Sequence, residues 1–164
     1  MAKLGVYLGQ VLIPGSWSTW LKPSWTDPTL CADAMRTLLE ATSQLPTPDR
    51  PKRLIVLSTT GADEHKRDVP LLFLPFYHYF LDVPHADKRV MEGLVRERAG
   101  DVFPESIILR PSLLTDGART EGQVRLGEDV VGYTISREDV GVITFKLCGR
   151  EGDQYVGKAI CCSY

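Results

Sequence analysis

Arg53-Leu54-Ile55-Val56-Leu57-Ser58-Thr59-Thr60-Gly61 changes character halfway along. Its first part is continuously apolar and rich in branched side chains, the composition of a strand buried on both faces of a parallel sheet. Three hydroxyls and a glycine then follow abruptly, where a strand should give way to a loop. Upstream, Asp27-Pro28 supplies an N-cap and a first-turn proline for a helix to about Leu45, with Leu30, Ala34, Met35, Leu38 and Leu39 at helical spacing. The run Pro46–Pro51 ends that helix. Downstream, Ala86, Val90, Met91, Leu94 and Val95 form the apolar stripe of a second helix from about Pro84 to Ala99, and Ser106–Arg110 is the next strand. A shorter strand, Val130–Ser136, leads into Ser136-Arg137-Glu138-Asp139, a capping box with aspartate in place of the usual glutamate, which opens a helix through about Leu147. Lys3–Leu8 and Tyr155–Ser163 complete the pattern as first and last strands. Strands alternating with helices predict an α/β fold with a mostly parallel sheet.

At 164 residues, 43% hydrophobic and 24% charged, the chain is expected to fold as one domain over residues 1–164. A formal charge of −2 offers no basic field for phosphate contacts, so nucleic acid is not an expected partner. The apolar stretch Val69–Leu81 is broken by Pro70, Pro75 and His78 and falls short of the ~20 residues of a membrane helix. Gln10 interrupts Met1–Ile13 and no small-x-small site follows, so this segment reads as a buried strand and not as a signal peptide. Cys31, Cys148, Cys161 and Cys162 have no Cys-x-x-Cys spacing, and the adjacent pair would point to opposite faces of a strand. They read as buried reduced thiols of a cytoplasmic protein.

Ligands of open parallel sheets bind beyond the carboxyl ends of the strands, which singles out the loops there. Gly9–Thr26 carries Trp17, Trp20 and Trp25 and is either a lid or a cover for the core edge. Ser58 could donate to a substrate carbonyl or position a cofactor, although Ser and Thr at a strand end also serve as ordinary turn formers. Phe76, Tyr77, Tyr79 and Phe80 are either an apolar pocket wall or a subunit contact. Asp87 near the start of the second helix suits unsatisfied backbone N–H groups better than catalysis, and Lys88, at the edge of the apolar stripe, could contact a ribose or lower the pKa of a neighbouring hydroxyl, although most edge lysines only snorkel. His65, His78 and His85, even with Asp82 and Asp87, match no zinc spacing, and no metal is expected.

Leu54–Gly61, Pro84–Glu92 and Ile107-Ile108-Leu109-Arg110-Pro111-Ser112-Leu113-Leu114-Thr115-Asp116-Gly117 together resemble atypical short-chain dehydrogenases/reductases with NAD(P)-binding, NmrA-like Rossmann domains. Thr134–Val140 looks like that family's late helix start and Tyr155-Val156-Gly157-Lys158 like its final strand. The resemblance implies a partial Rossmann-like, doubly wound sheet with flanking helices, and NADP or NAD as cofactor. Ser58 would line the active site, Lys88 would touch the nicotinamide ribose, and Arg110, Pro111 and Ser112 would lie beside the nicotinamide end. Substrate would meet Phe76, Tyr77, Tyr79, Phe80 and His85.

Two departures stand out. Gly5, Gly9 and Gly15 do not form the glycine-rich turn that holds a pyrophosphate, and Pro84 occupies the tyrosine position of Tyr-x-x-x-Lys. Tyr77, Tyr79 and His85 stand as alternative proton donors. The first departure is explained if the chain begins at the fold's fourth strand, with Val6–Gly9 at its end and roughly 60–70 residues missing at ~30 per βαβ repeat. The expected function is an NAD(P)-dependent oxidoreductase for an apolar or aromatic carbonyl or quinone-type small molecule, as in secondary metabolism. A non-catalytic dinucleotide sensor is the alternative. A third reading is a product whose open sheet edge is covered by a second copy or a complementing chain.

Overall fold

The computed structural model describes residues 27–63, 68–73, 81–120 and 122–164. The expected strand Lys3–Leu8, the three tryptophans, Phe76, Tyr77, Tyr79 and Phe80, and two of the histidines, His65 and His78, lie outside those residues.

Among the described residues, the chain runs through α1 (Leu30–Ser43), β1 (Arg53–Leu57), α2 (Asp82–Arg98), β2 (Glu105–Pro111), β3 (Leu113–Thr115), β4 (Arg125–Gly127), β5 (Thr134–Ser136), α3 (Arg137–Leu147) and β6 (Ala159–Ser163). The main sheet has the order β1-β2-β6-β4, with the first three strands parallel and β4 antiparallel to β6. A second, two-stranded sheet pairs β3 with β5 in parallel. The expected mixed α/β fold with a mostly parallel sheet and flanking helices is therefore present.

Alternation along the strands sorts the core into two layers. Leu54, Val56 and Ile108 pack with Cys31, Met35 and Leu39 of α1 and Met91 and Val95 of α2. Ile107, Leu109, Ile160 and Cys162 face the other way, against Ile135 of β5 and Val140, Ile143 and Leu147 of α3. Adjacent Cys161 and Cys162 are both buried and on opposite faces, and Cys31, Cys148, Cys161 and Cys162 are all free thiols. Burial, with the neighbouring Cys161, pushes the Cys162 thiol up to about 12.

Several boundaries differ from the sequence expectation for identifiable reasons. Asp27 does not cap α1; it accepts the N–H of Thr29 at 3.1 Å and its hydroxyl at 3.3 Å, closing a turn ahead of the helix. The box at Ser136 forms, with the Asp139 N–H on Ser136 Oγ at 3.0 Å. Aspartate is a methylene shorter than glutamate, and here the Ser136 N–H goes to Tyr164 Oη at 2.9 Å, which in turn donates to Asp139 Oδ2 at 2.8 Å. Only Thr134–Ser136 of the expected strand Val130–Ser136 is extended. Tyr155–Lys158 is not strand: a 3-10 helix covers Arg150–Tyr155, and the Gly157 N–H donates to Ser106 O at 2.7 Å as the chain turns into β6. The short strands β3 and β4 carried no periodicity long enough to read.

Arg53 at the start of β1 locks the amino-terminal rim of the sheet. It donates to Glu105 at 2.6 Å, to the carbonyls of Leu147 and Gly149 at the end of α3 at 2.7 and 2.6 Å, and to Asp153 at 2.5 Å.

Candidate functional site

Past Val56 and Ile108, the face of the sheet that carries α1 and α2 turns polar. The pairings Leu57↔Leu109 and Arg110↔Cys161, with the Ser58 N–H on Leu109 O at 2.8 Å, put Ser58, Arg110 and Cys161 in one row across the carboxyl-terminal rim. All three are buried. Helix α2 runs over this row and adds Lys88 and Glu92, four residues apart and so on the same side of the helix. The connection after β1 adds Asp63 and Asp68.

Ser58 Oγ is buried and makes no hydrogen bond. A buried hydroxyl left without a partner forgoes about 1–3 kcal/mol, so such a group marks a place where a ligand or an ordered water completes the structure. Next to it, Lys88 Nζ donates to the carbonyl of Leu57 at 3.0 Å. An ammonium has three protons to give, and among the described residues Lys88 pairs with no carboxylate, so donors remain for a second acceptor. Ser58 and Lys88, singled out separately in the sequence, are thus brought to the same strand end.

Arg110, expected beside the nicotinamide end, spends its guanidinium on carboxylates. Its guanidinium grips Glu92 through Nε at 2.9 Å and Nη2 at 2.6 Å, and reaches Asp63 through Nη1 at 2.7 Å. These bonds overcome burial and hold its pKa above the ordinary arginine value. Every nitrogen of the group is engaged with a carboxylate, so its side chain is an anchor between β2, α2 and the β1–α2 connection. Pro111 O accepts the Thr60 N–H at 3.1 Å, and the Ser112 hydroxyl meets that of Ser163 at 2.9 Å. His85 is buried in the first turn of α2.

Asp63, Asp68 and Glu92 were not singled out in the sequence. Asp68 is 4% exposed and accepts the N–H of Gly61 at 2.8 Å, and Gly61 has φ +82°, a backbone conformation open chiefly to glycine. Burial raises the Asp68 pKa, against the opposing pull of the Gly61 N–H and Arg110. Asp87, which was singled out, places its carboxylate on the N–H groups of Cys31 and Ala32 at 2.8 and 2.9 Å. Satisfying backbone donors was expected of it, but those donors belong to α1. Among the described residues no group of His, Cys, Asp and Glu could hold a metal ion, and no helix is long and apolar enough to cross a membrane.

A family described as NAD(P)H-binding matches residues 23–149, which includes β1, α2, β2 and nearly all of the polar rim. The chain belongs to this NAD(P)H-binding family. Among relatives, a protein named Reductase pytE from Aspergillus terreus is 43% identical over 160 residues, covering 88% of this chain and 61% of the relative. Oxidase pynE from Aspergillus niger is 37% identical over 142 residues, covering 73% of this chain and 50% of its own length. The chain thus spans between half and about three fifths of these relatives. Among solved structures, a short-chain dehydrogenase/reductase from Veillonella parvula in complex with NADP aligns with TM-score 0.64 and 18% identity over 81% of this chain and 58% of that one. The oxidoreductase ylbE from Lactococcus lactis aligns with TM-score 0.56 and 19% identity, covering 80% of this chain and 51% of its own. The resemblance to atypical short-chain dehydrogenases/reductases is borne out, and with it the Rossmann-like fold.

A nicotinamide dinucleotide fits this rim in part. The unpartnered Ser58 hydroxyl and the spare protons of Lys88 are donors for an oxygen-rich ligand, as the ribose and carboxamide end of such a cofactor is. The 164 residues hold no glycine-rich turn for its pyrophosphate.

Proposed function

We infer that the chain is the substrate-side part of an NAD(P)-dependent oxidoreductase acting on an apolar or aromatic carbonyl or quinone-type small molecule. The observation that carries this reading is the buried, unpartnered hydroxyl of Ser58 at the carboxyl end of a parallel strand, beside a lysine whose ammonium holds one backbone carbonyl. NADP or NAD, when bound, supplies or accepts the hydride. Ser58 donates a hydrogen bond to the substrate carbonyl oxygen, and Lys88 holds the nicotinamide ribose while keeping its bond to Leu57 O. Pro111 and Ser112 form the floor on the nicotinamide side, with Arg110 anchoring them from within. Phe76, Tyr77, Tyr79, Phe80 and His85 are assigned to the substrate wall on sequence grounds. The family match and the name of the Aspergillus terreus relative support the reaction class. The resemblance permits a place in secondary metabolism, and the free thiols, three of the four buried, support a cytoplasmic setting.

Calorimetric titration with NADH and NADPH tests the reading. Micromolar binding that is lost in Ser58→Ala and Lys88→Ala, with oxidation of the cofactor on a panel of quinones and aromatic ketones, is the expected outcome. No binding below the millimolar range would overturn it. Binding without turnover across the panel would assign the chain to dinucleotide sensing, the reading favoured by Pro84 in place of the tyrosine.

A further inference from the structure

Asp87 and Lys88 are consecutive on α2, about 100° apart around its axis, and their side chains leave in different directions. Asp87 is 3% exposed and gives one carboxylate oxygen to each of two N–H groups in the first turn of α1, 2.8 Å from Cys31 N and 2.9 Å from Ala32 N. A helix cannot satisfy those donors internally, and Thr29, which precedes α1, makes no capping bond with its side chain. A carboxylate on two fixed N–H groups at the positive end of a helix dipole is a two-point, charge-assisted hold. Two points fix both the rotation of α2 about its axis and its height along α1, which one point would not.

Lys88 needs that hold. It carries a flexible four-carbon stem, and its ammonium donates to a neutral backbone carbonyl, Leu57 O, 3.0 Å away. A hydrogen bond to a neutral carbonyl does not by itself place a long side chain; the backbone from which it departs must be placed first. The buried Cys31 thiol lies beside both residues, its pKa raised by burial against the opposing charge of Lys88, so the three side chains share one packed corner between α1, α2 and the end of β1.

We propose that Asp87 is a positioning residue: by fastening α2 to the amino terminus of α1 it sets Lys88 Nζ at the carbonyl that precedes Ser58. Its consequence for cofactor binding rests on the role given to Lys88 under Proposed function; its consequence for Lys88 itself does not.

The test uses the full chain labelled with ε-13C lysine, the Lys88 resonance being assigned by its loss in Lys88→Arg. Asp87→Asn keeps the volume and one carbonyl oxygen but removes the charge and the second acceptor. Asp139→Asn is the control, because Asp139 is an equally buried capping carboxylate on the opposite face of the sheet. In the wild type, Lys88 should resonate apart from the exposed lysines; in Asp87→Asn it should move to their position, and in Asp139→Asn it should stay. An unmoved resonance in folded Asp87→Asn overturns the proposal. Where Asp87→Asn does not fold, Asp87→Glu retains the charge with a reach one methylene longer and must displace the same resonance, failing which the proposal falls. Titration with NADPH adds the second arm: Asp87→Asn should weaken binding at least tenfold, and should add nothing in a Lys88→Ala background. A displaced Lys88 resonance with unchanged NADPH affinity would uphold the positioning role and overturn the assignment of Lys88 to the cofactor.

Discussion

The two rims of the parallel sheet are each built around an arginine, and they differ in what is left over. At the amino-terminal rim Arg53 meets two carboxylates and two helix-end carbonyls, and the groups it serves are matched to it. At the carboxyl-terminal rim Arg110 faces three carboxylates, Glu92, Asp63 and Asp68; Glu92 is shared with Arg96, and Asp68 stands off at 3.9 Å. That rim also keeps a hydroxyl with no partner and a lysine that, among the described residues, meets a carbonyl and no carboxylate. A rim that satisfies itself is a structural clamp. The other leaves polar groups short of partners, as a binding site does before its ligand arrives.

Breaking each arginine should separate the rims most strongly. Arg110→Met leaves Asp68 buried without its cation and Glu92 with only the half-exposed Arg96, and should cost about 3–5 kcal/mol in urea unfolding. Arg53→Met, whose partners reach solvent, should cost about 1–2 kcal/mol. Equal losses would dissolve the distinction. Tight packing at the amino-terminal rim gives the next effect: a Cβ on Gly152 would lie 2.1 Å from Leu147 O and 2.6 Å from Arg53 Nη1, so Gly152→Ala should destabilise by about 1–3 kcal/mol without altering dinucleotide affinity.

Acid titration sharpens the contrast further, because two buried carboxylates shift in opposite senses. Burial raises the Asp68 pKa above its unfolded value, about 3.9, so the stability it contributes is fully present below about pH 4 and is lost as pH rises through the folded value. Wild type should therefore lose stability relative to Asp68→Asn as pH rises above about 4. At Asp139, burial opposes ionisation, but hydrogen bonds from Thr120, Tyr164 and Ser136 outweigh it and hold the pKa below the usual range. Its contribution is present above about pH 4 and disappears as pH falls through the depressed value. The deficit of Asp139→Asn should shrink in acid, as read from urea midpoints across the pH range. The smallest effect on stability belongs to Ser58→Ala. Removing a hydroxyl that has no partner should leave stability unchanged or raise it by up to about 1 kcal/mol, while dinucleotide affinity falls.

Much of the architecture was legible because it rests on local pattern. The stripe through Met35 and Leu39, the apolar run Leu54–Leu57 and the Ser136 cap each depend on neighbours within a turn or a strand, and all appear within a few residues of the expected place. The misplaced ends, at Asp27 and at Tyr155–Lys158, are positions where a local turn competes with the longer element. Ser58 and Lys88 could be picked out by residue type at a strand end and a helix start. Their convergence could not, since Lys88 and Leu57 are 31 residues apart.

The sequence by itself determined the main helices and the longer strands, the faces they bury and the family, because periodicity and motif spacing are properties of the linear chain. Only the tertiary structure decided that Asp87 caps α1 across more than 50 residues, that Arg110 turns inward onto Glu92 and Asp63, and that the Ser58 hydroxyl is left unsatisfied. Hydrogen-bond partners of buried groups are fixed by which elements pack together, and burial makes each match or mismatch count, so the site exists only once the sheet and its helices have closed.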